Sequence, residues 1–199
     1  AQDATTSVDL NSVTFLDERV GLAAGGSTII ETTDAGAQWA VSHFCAVVPM
    51  SVYHKVLYTT AGVRYAIGQS FDDAGTFKTN IGEFWNCDRT WPGHTFFAGA
   101  TPGHHRRLML TGATDGLIFV RDPETHAWTE RPTGVVAVFH DLVFGDADHG
   151  ILVGSEGVIL RTADQGASFT PTMSGTSATL RSVAVGQEGR VVVVGDAGT

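Results

Sequence analysis

Five glycines mark out repeated copies of one structural unit. They follow one another at steps of 43, 44, 42 and 41 residues, and each closes a short apolar run: Gly25, Gly68, Gly112, Gly154 and Gly195. A period of about 40 to 45 residues is the length of a four-stranded propeller blade. The sequence therefore predicts an all-β fold, a single-domain β-propeller of about five visible four-stranded blades.

The repeat has a fixed phase as well as a period. Residues 15–27 overlay residues 144–156 without a gap. The overlay matches an aromatic residue, an aspartate and a glycine, pairing Phe15 with Phe144, Asp17 with Asp146 and Gly21 with Gly150. We place the five copies at approximately residues 8–45, 46–90, 91–133, 134–175 and 176–199.

Short strands account for each copy. In the first, residues 12–15, 21–24 and 28–32 carry strand-forming residues and are separated by polar or glycine turns. Because no longer segment has the apolar spacing of a helix, we expect essentially no helix.

The last copy stops after the glycine turn at residue 198, so we expect its blade to be incomplete. Residues of a longer natural chain, residues 1–7 or a neighbouring subunit could complete it, and an open strand edge favours association.

Two turns share a pattern of Thr, Asp, Gly and an aromatic residue. Their matching positions are Asp34, Gly36 and Trp39 in the first copy, and Asp164, Gly166 and Phe169 in the fourth. The pattern resembles the Asp box of bacterial-neuraminidase-type repeats. An aspartate that accepts backbone N–H groups across a turn and an aromatic residue that packs between sheets indicate a structural role.

Residues 73–77 and 122–128 retain parts of this pattern, and we interpret them as decayed copies. Together with the Phe-x-Asp-x-x-x-Gly pattern of the first and fourth copies, these turns resemble the propellers related to the photosystem II assembly and stability factor. The resemblance implies a binding scaffold, membrane-adjacent or exported, with no cofactor and no catalytic residues.

An Asp-box propeller could also be a glycosidase. A sialidase needs an arginine trio, a Tyr–Glu pair and an early Arg-Ile-Pro motif; that motif is missing, and all tyrosines lie in the second copy. Other glycosidases need two carboxylates across a cleft, for which Asp115, Glu156 and Asp196 are candidates. Solvated turn carboxylates are the alternative interpretation.

The segment of residues 84–94 is the most unusual surface, since it combines two Trp, a Pro and mixed charges. We place Trp91 and His94 in the connection from the fourth strand of one blade to the first strand of the next. In a propeller that connection shares a face with the second-to-third turns, which hold Asp115, Glu156 and Asp196. We interpret this face as a binding surface for a protein or a glycan, although Trp91 could instead cover the core.

Charge limits the partners. A net charge of −9 and a pI near 5.2 argue against nucleic acid. Arg106 and Arg107 belong to the only dense basic cluster, a predicted hairpin turn that could contact an anion or remain solvated.

We expect no metal and no cofactor. No apolar run approaches the roughly 20 residues that cross a bilayer, so we expect no membrane insertion.

Cys45 and Cys87 are 42 residues apart, one repeat, and we place both in loops that follow a fourth strand. They could form a disulfide or remain buried thiols. An even cysteine count favours oxidation and export to the periplasm, the cell surface or the medium.

We therefore expect an exported, non-catalytic binding or assembly scaffold. Carbohydrate binding or cleavage, and a structural subunit that associates through its open last blade as a homo-oligomer or by strand complementation, are the alternatives.

Overall fold

The computed structural model describes residues 6–42, 50–59, 62–70, 74–80, 85–102, 107–112 and 116–199. The chain divides into two compact units, residues 1–96 and residues 97–199. Each unit is built from antiparallel sheets in which consecutive strands pair. This arrangement follows from strands of two to nine residues joined by tight turns.

The first unit contains two four-stranded sheets. Sheet one consists of β1 Ser12–Phe15, β2 Gly21–Gly25, β3 Thr28–Thr32 and β4 Ala40–Val41. Sheet two consists of β5 Met50–Tyr58, β6 Arg64–Ser70, β7 Gly75–Asn80 and β8 Trp85–Trp91. The two sheets share a buried core of Leu22, Ala24, Ile29, Tyr53, Val56, Ala66 and Trp85.

The second unit contains two four-stranded sheets and one two-stranded sheet. Sheet three consists of β9 Phe96–Ala100, which begins at the last residue of the first unit, β10 Leu108–Gly112, β11 Leu117–Arg121 and β12 Trp128–Pro132. Sheet four consists of β13 Phe139–Phe144, β14 Gly150–Gly154, β15 Ile159–Thr162 and β16 Thr170–Thr172. Sheet five consists of β17 Leu180–Val185 and β18 Val191–Gly195, which confirms the incomplete last blade.

The only helical elements in the described residues are three short 3-10 turns: Ser155–Gly157, Gln187–Gly189 and Asp196–Gly198. Each is a tight turn rather than a true helix, because its second residue has a left-handed backbone, as at Glu156 with φ 55°. None of the helices in the described ranges could cross a membrane. The all-β prediction is thus confirmed.

A close approach of two backbones explains the repeated glycines. Four of the five glycines lie beside a carbonyl oxygen of the chain just before or within the first strand of their own sheet. A Cβ added at Gly25, Gly68, Gly154 or Gly195 would lie 2.0, 2.1, 2.4 or 2.3 Å from the nearest carbonyl oxygen. In sheets two, four and five the first strand has a bulge within a few residues of this carbonyl. Gly154 and Gly195 have extended backbones, so steric space rather than φ requires glycine.

The Phe-x-Asp-x-x-x-Gly pattern shapes the turn between the first and second strands. The Phe15 ring lies against Gly21, where an added Cβ would be 2.7 Å away, and Phe144 lies against Gly150 in the same way. The carboxylate of Asp17 accepts hydrogen bonds from the N–H groups of Arg19 and Val20. Asp146 does the same in sheet four, so the sequence overlay corresponds to equal geometry.

The turns lie at the two ends of the strands. At one end, here called the Asp-box edge, the turn between the third and fourth strands contacts the turn between the first and second strands: the N–H of Ala35 donates to the carbonyl of Arg19, at 2.9 Å. At the opposite edge, here called the connection edge, second-to-third turns contact the connections between sheets. There the N–H of Ser155 donates to Val138, and that of Asp196 donates to Thr179. This confirms, within the second unit, the predicted pairing of turns and connections.

Two details of the sequence prediction are wrong. Residues 85–91 form β8 rather than a loop, because an outermost strand pairs on one side only and its sequence lacks the continuous apolar run of an inner strand. Residues 73–77 are not a decayed third-to-fourth turn, because β7 begins at Gly75 and this segment therefore enters the third strand. Residues 122–128 do join β11 to β12, as predicted.

Candidate functional site

The two turns that resemble Asp boxes have matching hydrogen bonds. The hydroxyl of Thr32 donates to the carboxylate of Asp34 at 2.8 Å, and the N–H of Gly36 donates to that hydroxyl at 3.0 Å. The N–H of Gln38 donates to Asp34 at 2.9 Å. The fourth-sheet turn has all three contacts, through Thr162, Asp164, Gly166 and Ser168. Each aspartate thus closes its own turn.

These bonds also set the acidity of the aspartates. The backbone N–H of Gln38 and the hydroxyl of Thr32 lower the pKa of Asp34. In the fourth sheet the hydroxyl of Ser168 adds a 2.6 Å bond, and this contact together with the Ser168 N–H lowers the pKa of Asp164 to about 2. Carboxylates that are stabilised in the ionised form are poor general acids, so these turns suit a structural role.

The aromatic residues of the two turns pack differently. Phe169 packs against the core cluster that includes Met109 and Phe139 of two successive sheets. Trp39 contacts Phe15 of its own sheet edge to face, with ring centroids 6.2 Å apart. Packing between two sheets, which the sequence predicts for the aromatic residue of each turn, is therefore seen for Phe169.

The described residues that are predicted to bind a partner are divided between the two units. Trp91 ends β8 and is half-buried, with its ring 5.4 Å from that of Phe96 in an edge-to-face contact. The N–H of His94 donates to the carbonyl of Trp91 in the following turn. Both belong to the first unit, whereas Glu156 and Asp196 lie exposed at the connection edge of the second. Their grouping into one surface stays a prediction.

Other predicted residues lie partly or wholly outside the described part of the chain. Asp115, Arg106 and Cys45 fall outside it, and so does the side chain of Cys87, whose backbone lies in β8. The Cys45–Cys87 disulfide stays a prediction. Arg107 is half-buried, and its charge helps to lower the pKa of Asp122, although the bonds from Thr125 dominate that shift.

A row of side chains on the first strands of the second unit was not predicted. Phe97 in β9, His140 in β13 and Arg181 in β17 are each the second residue of their strand. The rings of Phe97 and His140 lie 5.5 Å apart at 40°. Phe97 and His140 are half-buried and Arg181 is exposed, so all three reach the surface. We call these three residues, with Asp196, the first-strand row.

Asp196 fixes the guanidinium of Arg181. The Nε and Nη2 groups donate to the two carboxylate oxygens at 3.0 and 2.9 Å, a bidentate pair. This contact lowers the pKa of Asp196, which therefore stays ionised rather than acting as an acid. A guanidinium has more donors than the two that Asp196 takes, and the pair holds those donors in one orientation.

His140 is neutral over much of the physiological pH range. Burial lowers the pKa of its imidazole, and the charge of Arg181 lowers it further, while Asp196 acts in the opposite direction. The first-strand row therefore offers an aromatic face, a neutral imidazole and an oriented cation next to one another. Such a mixture suits side-chain packing combined with hydrogen bonding to a carbonyl or carboxylate.

The repeat period could have revealed this row. Phe97, His140 and Arg181 follow one another at steps of 43 and 41 residues, the same period as the glycines. Each comes directly after the apolar residue that starts its strand, namely Phe96, Phe139 or Leu180, and those three are buried. Aligning the first strands of the copies would therefore have shown a large aromatic or cationic residue at one position in three consecutive copies.

Comparisons with known proteins identify the fold. No protein-family model and no curated protein sequence matches the chain. Among solved structures, YCF48 bound to D1 peptide superimposes with a TM-score of 0.62 at 13% identity, over 97% of this chain and 92% of that one. YCF48 from Cyanidioschyzon merolae gives a TM-score of 0.74 at 17% identity, over 98% and 66%. U3-55K gives 0.69 at 12% identity, over 96% and 62%.

These superpositions and the repeated four-stranded sheets define the chain as a β-propeller protein. Its propeller resembles that of YCF48, in agreement with the family resemblance that the sequence indicates. The chain spans just under two thirds of the length of two of these three structures. At these sequence identities the similarity is one of fold alone, and a fold does not by itself determine function.

Proposed function

We propose that the chain is a non-catalytic protein-binding scaffold whose first-strand row binds an extended segment of a partner protein. The observation that carries the proposal is the contact between Arg181 and Asp196, which orients a cation beside the exposed edges of His140 and Phe97. A preorganised side chain loses little entropy on binding, so its hydrogen bonds contribute more fully to affinity. Aromatic residues and arginines also supply much of the binding energy in protein interfaces.

Two further facts support a protein partner. The structure of YCF48 bound to D1 peptide shows that a protein with this fold binds a peptide. In addition, the ion pair with Arg181 lowers the pKa of Asp196, which counts against a general-acid role for one of the predicted glycosidase carboxylates. Glycan binding is the competing function, and the experiment below separates the two.

A peptide selection tests the proposal. The immobilised chain is exposed to a phage library of random linear peptides, and the same preparation is applied to a glycan array. We expect enriched peptides that lose binding to Phe97→Ala and Arg181→Ala but keep it with Arg190→Ala, a variant of an exposed arginine in the β17–β18 turn. Glycan binding without peptide enrichment, or equal loss with all three variants, would contradict the proposal.

The proposal includes an exported setting, which rests on Cys45 and Cys87 as a predicted disulfide. The test is the intact mass of the chain after alkylation without reduction. A disulfide leaves both cysteines unmodified, whereas free thiols take up alkylating agent at both positions. Free thiols in protein taken from its native compartment would contradict export.

A further inference from the structure

We propose that the partner segment bound by the first-strand row also inserts an apolar side chain, with a lysine or arginine next to it, into a cavity at the connection edge of sheet four. This inference rests on the proposed function and adds a second contact to it. Three observations support it: the lining of the cavity, the exposure of Met173 at its rim, and the connection that leads from the cavity to Arg181.

The cavity has a volume of about 570 Å³. It lies among the β14–β15 turn, the outer strands β15 and β16, and the connections before and after sheet four. Within the described part of the chain no lining residue belongs to β17 or β18, so the walls come from a complete sheet and its flanking connections. Apolar side chains form much of the lining: Val135, Val158, Leu160, Pro171 and Met173. An apolar side chain of a partner would be stabilised there by the removal of its surface from water.

Hydrogen bonds fix the connection that forms one wall of the cavity. The hydroxyl of Ser174 donates to the carbonyl of Thr176 at 3.0 Å and accepts the N–H of Thr176 at 3.3 Å. The Thr176 carbonyl also lies against the β14–β15 turn, where a Cβ added at Gly157 would be 1.9 Å from its oxygen. The backbone around the cavity is thus already ordered, so a ligand does not have to order it on binding.

Met173 lies at the rim of the cavity and is 94% exposed, the largest exposed fraction among the large hydrophobic residues of the described ranges. The fold does not require a methionine here. Shifted by 41 residues, Pro132 takes the same place before an equivalent hydroxyl turn, which Thr133 forms. A flexible thioether side chain adapts to the surface of a partner, and burial of its apolar surface favours binding. Met173 therefore suits the rim of a binding cavity.

Glu156 sets the charge of the cavity. It is exposed, and it is the only charged residue that lines the cavity in the part of the chain that the structure describes. Its carboxylate has no hydrogen bond or ion pair with another described residue. A lysine or arginine of the partner would complement this carboxylate, whereas an acidic residue would be repelled. The cavity therefore selects an apolar residue that has a basic neighbour.

The connection after sheet four joins the cavity to the first-strand row. Ser177 lines the cavity and Arg181 follows four residues later, so their Cα atoms lie at most about 14 Å apart. Between them the carbonyl of Thr179 accepts the N–H of Asp196, which belongs to the row. An extended segment covers this distance in roughly four residues. One segment of a partner can therefore contact the row and fill the cavity.

The probe is a synthetic peptide selected on the chain from the phage library of linear peptides. We expect the selected sequences to contain a large apolar residue next to a lysine or arginine. The dissociation constant should rise at least about threefold in Glu156→Lys and in Met173→Ser. Glu188→Lys changes an exposed acid that has the same left-handed backbone in the β17–β18 turn, and Val41→Ser changes an exposed valine of β4. These two matched controls should bind like the unmodified chain.

Oxidation of methionine by hydrogen peroxide, followed by mass spectrometry, gives a footprint that needs no variant. In the free chain Met173 should oxidise quickly and the buried Met109 slowly, and saturation with the peptide should slow Met173 at least about fivefold. Slow oxidation of Met173 in the free chain would show that this chain or a second copy already covers the cavity, and would overturn the inference.

The two levels of the account fail in different ways. A peptide that loses affinity in Phe97→Ala, but neither protects Met173 nor responds to Glu156→Lys, would overturn the inference and leave the proposed function standing. A peptide that protects Met173 but binds Phe97→Ala like the unmodified chain would contradict the proposed function, and with it the single segment that joins the row to the cavity.

Discussion

The carboxylate of Asp141 in β13 accepts a hydrogen bond of 3.1 Å from the backbone N–H of Val183 in β17, and so joins the fourth sheet to the fifth. The same carboxylate accepts the hydroxyl of Ser182 at 2.8 Å and the N–H of Leu142 at 3.0 Å. Asp141 is only 4% exposed. A buried carboxylate with several donors therefore links these first strands, at the point where both have a bulge.

Removing this carboxylate should destabilise the chain. In Asp141→Ala the N–H of Val183 and the hydroxyl of Ser182 lose their acceptor, and a buried donor without a partner costs about 1 to 3 kcal/mol. We expect the free energy of unfolding to fall by about 3 kcal/mol in urea denaturation. Asp9→Ala, which changes an exposed aspartate, is the control and should have little effect. Equal stability of the two variants would contradict the role given to Asp141.

The steric account of the repeated glycines predicts a sharp contrast between two alanine variants. In Gly154→Ala the new methyl group would lie 2.4 Å from the carbonyl oxygen of Val138, so the strand must shift. In Gly186→Ala the nearest atom lies at 3.7 Å, an ordinary contact. We expect a loss of about 2 to 3 kcal/mol for the first and less than about 0.5 kcal/mol for the second. Thermal unfolding measures both, and equal effects would contradict the close approach.

The Ser168 hydroxyl should control the acidity of Asp164. Because its hydrogen bond is the largest cause of the low pKa of Asp164, Ser168→Ala should raise that pKa from about 2 toward the ordinary value. The folded-state pKa lies below that of the unfolded chain, so the stabilisation from Asp164 is present above about pH 4 and is lost as the pH falls toward 2. Carbon-13 NMR titration of the carboxyl measures the shift. Asp34, whose turn has Gln38 in place of the serine, is the internal control and should not change.

His140 should report the charge of its neighbour. Since the guanidinium lowers the pKa of His140, Arg181→Ala should raise it, and Arg190→Ala should leave it unchanged. In the unmodified chain the folded pKa lies below the unfolded value of about 6.5. Stability therefore falls as the pH drops through that value, because protons bind the unfolded chain more readily. Proton NMR of the imidazole ring follows the titration, and a fall in the pKa of His140 in Arg181→Ala would contradict the arrangement.

Sequence patterns predict the fold well where one residue is required for one physical reason. The glycines have to be small, the Phe ring has to cover Gly21 or Gly150, and Asp17 or Asp146 has to close a turn, so these positions repeat clearly. The sequence predicts a loop where the outermost strand β8 lies, because pairing on one side places few demands on a strand's sequence. The short Asp-x-Gly match at residues 73–77 predicts the wrong turn because that tripeptide suits many turns.

The candidate site was harder to predict than the fold. Asp196 was singled out as a turn carboxylate, but its partner Arg181 lies 15 residues away, and only the pairing of β17 with β18 brings the two together. Phe97 and His140 meet because their strands start successive sheets, a relationship that no local pattern contains. The repeat period places Phe97, His140 and Arg181 at one position of successive copies, but only register and packing show that these side chains are neighbours.

Calorimetric titration of a peptide selected on the chain tests the central claim, that the first-strand row binds a partner, most directly. The dissociation constant is measured for the unmodified chain, for Phe97→Ala and for the matched surface variant Arg190→Ala. We predict that Phe97→Ala weakens binding at least about tenfold, as expected when a central aromatic contact is removed, and that Arg190→Ala binds like the unmodified chain. Unchanged affinity in Phe97→Ala, with the fold intact by circular dichroism, would contradict the account.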